Sequence, residues 1–506
     1  MIRTGEKGIA LVFTLFLMAA LSAMAVSIMF LAQTETSASR NYKTMSQARY
    51  AGEAGVQRVV HYLSSTAYTN LVTSTSGFDT SQSPVKYSGA DVVLKPVAAQ
   101  SNHPDAAIKA AFAALFSSAS MSVGSGATVG YSATATLISM RQVTVYGGSS
   151  GVVQTWRINA TGTVPGSLPA TVEVAAILER DSAPAETYAI FATGSGCGAI
   201  TMNGDVHTDS YDSSSMAMAS GAPVTQSYGG AVGTNGNLSI GGQVTVNGNL
   251  DTPRTGVGNC SNGNITALTE TGQANVTGDT IQLPQSKTYQ APNAPSPVPP
   301  ITVQSVSGSS TCSTLGWSPV NLSYPATACS KDTATNTITL KANGSALVLG
   351  SVSLTGGTNL VIDTGTGGSA PVTFNVNSFS MSGNSSLSLA AGTSVTMGVR
   401  GEGITGDVID FTGGAVSNSS FDPSKLQILY AGSANIKLTG GAQTAATVYA
   451  PNASVAMSGN GNFYGSVLSR QFTDSGGASV HYDRSLSSKF NVLGNHVMSS
   501  FSWQKY

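Results

Sequence analysis

Asp205, His207, Asp209 and Asp212 fall within one short run of this 506-residue chain, and their types suit two kinds of chemistry. Sugar hydrolysis needs a pair of carboxylates, one to protonate the leaving oxygen and one to act as base or nucleophile. Calcium needs several carboxylate and carbonyl oxygens around one point. Glu402, Asp407 and Asp410, in the glycine-rich stretch 401–414, form a second such group. Neither group follows a calcium-loop spacing, and acids beside glycine are common in solvated turns. The five histidines, His61, His103, His207, His481 and His496, are scattered without metal-ligand spacing. No Gly-x-Ser-x-Gly elbow with plausible partners and no phosphate loop ending in Gly-Lys-Ser/Thr accompanies them. The expectation is therefore a protein that is not an enzyme and needs no cofactor. Asp205, Asp209 and Asp212 are kept as the calcium candidates, and a membrane-anchored or secreted enzyme acting on polysaccharide is kept as the alternative.

The elements that would carry these acids recur along residues 186–490. Apolar and polar residues alternate and run into Gly-Gly or Asn-Gly, as in Ala199-Ile-Thr-Met-Asn-Gly204, Leu238-Ser-Ile-Gly-Gly242, Val244-Thr-Val-Asn-Gly248, Val352-Ser-Leu-Thr-Gly-Gly357, Phe379-Ser-Met-Ser-Gly383, Ile436-Lys-Leu-Thr-Gly-Gly441 and Val455-Ala-Met-Ser-Gly459. A weaker last copy reads Phe472-Thr-Asp-Ser-Gly-Gly477. Short alternating strands ending in glycine, with some later copies roughly 17 to 27 residues apart, predict a parallel β-helix-like coil whose rungs share one core. A sandwich of antiparallel hairpins is the alternative. Residues 283–301 carry six prolines, which cannot donate ladder hydrogen bonds, so this stretch reads as an extended strap dividing the repeats. Residues 491–506 are expected as a C-terminal tail.

Composition limits the function classes. Only 9% of residues are charged and the formal net charge is −1, which removes the clustered Lys and Arg that phosphate binding demands and argues against a nucleic-acid partner. With 41% apolar residues in a patterned arrangement, the chain is not a disordered one. Four cysteines suit an oxidising compartment. Sequence-local pairing, Cys197 with Cys260 and Cys312 with Cys329, is the first choice among three connectivities. The second pair would close a loop around Trp317 and Pro325.

Residues 66–185 read as a small α+β domain. A helix is expected at 105–117 behind His103-Pro104, followed by strands at 128–145, 154–164 and 170–179, the last two joined by the turn Pro165-Gly166-Ser167. Ahead of it, residues 9–32 contain no charge and are long enough to span a bilayer. Arg3 and Lys7 on the leader place the N-terminus on the cytoplasmic side. The pattern continues without proline to about residue 65, with Ala48, Ala51, Gly55, Val56, Val59, Val60 and Leu63 on one stripe. Gly52, Ala54 and Gly55 would let another backbone come close. Cleavage after Ala23-Met24-Ala25 and an uncut anchor are the competing readings of this segment.

The leader ending Lys7-Gly8, the following Ile9-Ala10-Leu11-Val12 and the run Gln47-Ala48-Arg49-Tyr50-Ala51-Gly52-Glu53-Ala54-Gly55-Val56 resemble the N-terminus of PilX-type minor pilins. The resemblance covers about the first 65 residues. It implies cleavage by a prepilin peptidase after Gly8, methylation of Ile9, a single pass through the inner membrane before assembly, and other pilins as partners in a pilus at the cell surface. Major pilins carry glutamate at the fifth mature position, and Phe13 stands there in this chain. That departure favours a specialised position, at the tip or in priming, over the shaft. Residues 446–488 resemble the β-helical domain often fused to such N-termini. A surface glycan or another surface is the expected ligand, with Tyr324, Tyr430, Tyr449 and Tyr464 as candidate contacts. The organisation expected is a leader at 1–8, a filament helix at 9–65, the α+β domain at 66–185, the coil at 186–490 and the tail.

Overall fold

The computed structural model describes residues 7–117, 119–123, 127–145, 150–315, 328–368, 371–440 and 443–505. Trp317, Tyr324, Pro325 and most of the leader lie outside the described residues. The chain is mainly β with one long N-terminal helix. It divides into two compact units, one of residues 1–143, 150–182 and 493–506, the other of residues 144–149 and 183–492.

The first unit is built on the helix Lys7–Leu63. Its first half is exposed, with Ile9, Leu11, Phe13, Phe16, Met18 and Phe30 all more than half open. The second half buries Ala48, Ala51, Val56, Val59 and Leu63 completely. These side chains pack on a sheet whose strand order is Val93–Leu94, Ala127–Thr144, Ser150–Val164, Ala170–Pro184 and Asn491–Lys505, with Ser120–Val123 paired to the second. Ser150–Val164 and Ala170–Pro184 run antiparallel, with Trp156 opposite Leu178 and Ile158 opposite Ala176. The segment expected as a tail is thus an edge strand of this sheet. Its sequence, Val497-Met-Ser-Ser-Phe-Ser-Trp503, alternates weakly, so pairing to a neighbouring strand rather than its own pattern decides its state.

The small residues of the helix have a specific task within this unit. A Cβ added at Gly162 would stand 1.9 Å from the carbonyl oxygen of Ala48 and 2.4 Å from the backbone nitrogen of Gly52, while one at Gly52 would meet Val174 at 2.7 Å. Helix and strand backbones touch here because neither has a side chain in the way. A later helix, Ala106–Ala114, begins at Asp105, whose Oδ1 accepts from the backbone nitrogens of Ala107 (2.7 Å) and Ile108 (3.1 Å).

The second unit is a coil of parallel strands. One inward row runs Val352, Phe379, Ile409, Ile436, Val455, Phe472, Ile200, Leu238 and Leu268, each paired with the next across the ladder. This order is not the order of the sequence. The rung containing Asn462–Gly476 is followed by the one containing Ile200–Gly204, so the coil consists of two lobes. The lobe of residues 303–490 winds towards a seam, and the lobe of residues 186–282 winds away from it. The pairs Val467 with Ile190, Phe472 with Ile200 and Val480 with Thr208 make the seam. A separate sheet covers another side of the larger lobe, with Thr337–Lys341, Asn359–Asp363, Ser385–Leu389 and Gly414–Ser417 in parallel order.

The proline-rich stretch joins the two far ends by running back along the outside. Asn235 and Lys287 exchange two hydrogen bonds of 2.8 Å. The Tyr449 hydroxyl donates to Gln290 O (2.7 Å), Asn375 to Pro297 O (2.8 Å), Arg400 to Pro299 O (2.7 Å) and the Ser351 nitrogen to Thr302 O (2.7 Å). A segment that makes no ladder of its own is held by side chains from successive rungs. Cys197 and Cys260 form one disulfide, and Cys312 and Cys329 another.

Candidate functional site

The strand His207–Tyr211 lies beside Ser479–Asp483 at the seam, and this pairing decides the fate of the first acidic group. Asp205 and His207 remain at the surface, joined by a 3.2 Å contact from His207 Nε2 to Asp205 Oδ1. Asp209 turns away from them, with its Oδ1 2.5 Å from Nδ1 of His481 and both side chains nearly buried. The His481 ring stands 4.6 Å from that of Tyr464, which packs in turn on Tyr211 and Phe421. Asp212 takes a third direction. Its Oδ1 accepts from the Ser214 hydroxyl (2.5 Å) and nitrogen (2.9 Å), and the hydroxyl is the main cause that holds the carboxyl below its usual range. The three calcium candidates thus do not converge. Among the described residues no group of three His, Cys, Asp or Glu side chains could hold a metal ion.

The second acidic group is dispersed as well. Glu402 pairs with Arg400, Asp407 with Lys437 at 2.7 Å, and Asp410 accepts from Thr412 within its own turn. Each acid has a local structural partner. The tyrosines expected as surface contacts are interior: Tyr430, Tyr449 and Tyr464 are buried, and the Tyr430 hydroxyl accepts from the Ala434 nitrogen. An exposed aromatic that the sequence reading passed over is Tyr228, which lies 5.1 Å beneath the Arg484 guanidinium. Nothing in its local sequence separates it from a packed tyrosine.

Two acids do act on the architecture. Asp483 is fully buried and accepts from Ser213 (nitrogen 3.0 Å, hydroxyl 2.6 Å) and Ser485 (nitrogen 3.0 Å, hydroxyl 2.8 Å), fastening the start of the smaller lobe to the end of the larger. Asp474 is fully buried too, and neither of its oxygens has a hydrogen-bond partner. Burial pushes this carboxyl up to about 7. Its signal was present in the repeat, where an acid stands in the place that other copies give to Met, Leu or Ile.

Among the described residues, most of the large exposed apolar side chains of the first unit lie on the N-terminal helix. It is long and apolar enough to cross a membrane, and the apolar window is wholly unburied. Gly8 and Ile9 lie at its start, with Ile9 61% exposed and Phe13 73% exposed.

Comparison with known proteins divides the chain along similar lines. Residues 7–57 match the model of the PilX N-terminal family, and residues 320–489 match a domain of unknown function, DUF7305. No curated protein matches the chain. Among solved structures, the chain aligns with the competence-associated pilin ComZ from Thermus thermophilus at 14% identity and a TM-score of 0.28, over 92% of this chain and 98% of that one. The chain carries a PilX-type N-terminus and, at 320–489, a domain to which no function is attached.

Proposed function

We propose that this chain is a minor-pilin-like subunit of a type IV pilus or related surface filament, held in the inner membrane before assembly. The observation that carries the reading is the division of one uninterrupted helix into an exposed apolar half and a half packed on its own sheet. An apolar surface of that length needs either lipid or other helices around it. Lipid before assembly and neighbouring pilin helices afterwards supply both. Prepilin peptidase is the processing partner in this reading, acting between Gly8 and Ile9.

The coil supports a terminal position in the filament, at the tip or in priming. It adds some three hundred residues, inserted between two strands of the first unit, and Phe13 supplies no carboxylate to pair with a neighbouring N-terminus. Its low-charge surface, rich in Ser, Thr and Asn, suits adhesion to a glycan or another surface by hydrogen bonding. The polysaccharide-enzyme reading loses the residues on which it stood, since its carboxylates are engaged one by one in separate contacts.

The test is intact mass and N-terminal sequencing of protein recovered from the cell surface. A start at methylated Ile9 is expected. A start at Val26 refutes the filament reading.

A further inference from the structure

Asp474 occupies an inward position of the coil. Its row reads Leu438, Met457, Asp474, Met202 and Ile240 from rung to rung, and the equivalent places in earlier rungs are Leu354 and Met381. Every other member of the row is apolar and at most 3% exposed, and Asp474 itself is 0% exposed. The ladder neighbours of this carboxyl are two methionines, which offer it no strong donor. Burying a polar group without a partner costs stability, and the cost rises steeply when the group is charged.

The rung concerned is the one whose pairing is not local. Asn462–Gly476 meets Thr444–Gly459 on one side and Ile200–Gly204 on the other, and the second contact joins the two lobes. Among the described residues no charged group offsets the cost. The strands Ile200–Gly204 and Thr444–Gly459 contain no charged residue. On its own strand, Arg470 is exposed and donates to Ser454. From the third wall, Val206, Ala478 and Val480 join the core, whereas Asp209 and His481 pair with each other and Asp205 and His207 stay in solvent. Asp483 is held by Ser213 and Ser485, and the Glu186 carboxylate takes the Ser466 hydroxyl.

We propose that the contact between Asn462–Gly476 and Ile200–Gly204 is a proton-gated latch: with Asp474 neutral the two lobes close on each other, and when it ionises this rung pair opens while the strap keeps the lobes tethered. The sign follows from the direction of the shift. Burial raises the carboxyl from 3.8 to about 7 in the closed state, whereas in an opened, hydrated seam it returns to the ordinary value. The closed state therefore holds the extra proton between those limits, and closure weakens as pH rises from about 4 to about 7, with no further change above. Between pH 5.5 and 8.5 the opening equilibrium should shift about thirtyfold towards the open form.

The experiment is hydrogen exchange by mass spectrometry on the full chain in detergent, at pH 5.5 and 8.5, with rates corrected for intrinsic exchange. Peptides spanning 467–476 and 200–204 are expected to lose protection at the higher pH by about that factor. Peptides from the interior strands Val372–Val376 and Val395–Val399 should keep theirs. Asp474→Met should abolish the difference, and Asp474→Asn, which keeps the shape and cannot ionise, should abolish it too. Equal seam protection at both pH values in the wild-type chain overturns the proposal, as does a pH dependence that survives in either variant.

Discussion

Replacing Gly162 by alanine tests the contact on which the first unit depends. The new Cβ would lie 1.9 Å from the Ala48 carbonyl oxygen and 2.4 Å from the Gly52 nitrogen, and both obstacles are backbone atoms. No rotamer change relieves such a clash, so the helix must move outward by about 1.5 Å to reach an ordinary contact. That movement loosens the seating of Ala48, Ala51, Val56 and Val59, all fully buried. Overpacking a core typically costs 1–3 kcal/mol, and a rigid backbone obstacle places this substitution above that range, at about 3–5 kcal/mol. Trp156 is 1% exposed in the same core and reports on it by fluorescence. Denaturant titration of the full chain in detergent should show the first-unit transition shifted by that amount. Gly263→Ala, where an added Cβ meets nothing within 4 Å, should change stability by less than about 0.5 kcal/mol. A loss below about 1 kcal/mol in Gly162→Ala would refute the claim that helix and strand backbones are in contact.

Further outcomes follow from the second unit. Asp474→Met should stabilise the coil by about 4 kcal/mol above pH 7, the 3.8-to-7 displacement at 1.36 kcal/mol per pH unit, with the advantage shrinking towards pH 4. Melting curves across that range would contradict this if the two proteins ran parallel. Asp209→Ala should cost about 1–3 kcal/mol because it strands a nearly buried His481, whereas Asp205→Ala, at an exposed carboxylate, should stay within about 0.5 kcal/mol. Equal effects in thermal melts would remove the distinction between the two acids. Reduction should destabilise the coil through both disulfides, by about 4 kcal/mol for the pair 63 residues apart and about 3 kcal/mol for the pair 17 apart, as read from melts of the single-pair serine variants.

Much of the architecture was legible because its signals are local. The uncharged run after Gly8 and the stripe from Ala48 to Leu63 define the helix, and the alternating copies ending in glycine define the rungs. What the sequence hid was which elements meet. Asp209 and His481 stand 272 positions apart, so no spacing rule links them, and Asp205, Asp209 and Asp212 looked like one site because proximity along a strand says nothing about direction. Neighbouring side chains on a strand alternate, and the turn beyond it points elsewhere again. The edge strand Asn491–Lys505 escaped notice for the same reason, since its place is set by a partner far back in the chain. The small residues at Gly52 and Gly55 did announce a close backbone, but only the structure identifies that backbone as the chain's own strand at Gly162.

The order of rungs follows from how the coil is inserted. The chain leaves the first unit after residue 182 and rejoins it at residue 493, and the Ala185 nitrogen donates to Phe490 O at 2.9 Å. A coil wound from one end to the other would leave those two points a full coil length apart. Starting at mid-length, winding to one end, returning along the strap and winding back brings them together. That solution requires one rung pair to close between strands some 280 residues apart, as in the Ser466 to Glu186 contact. Loop-closure entropy opposes such a contact until the rest is ordered, so the seam is expected to form after the local rungs. An acid in the row of buried methionines at that rung weakens the contact where weakening has the greatest effect on whether the two lobes act as one body.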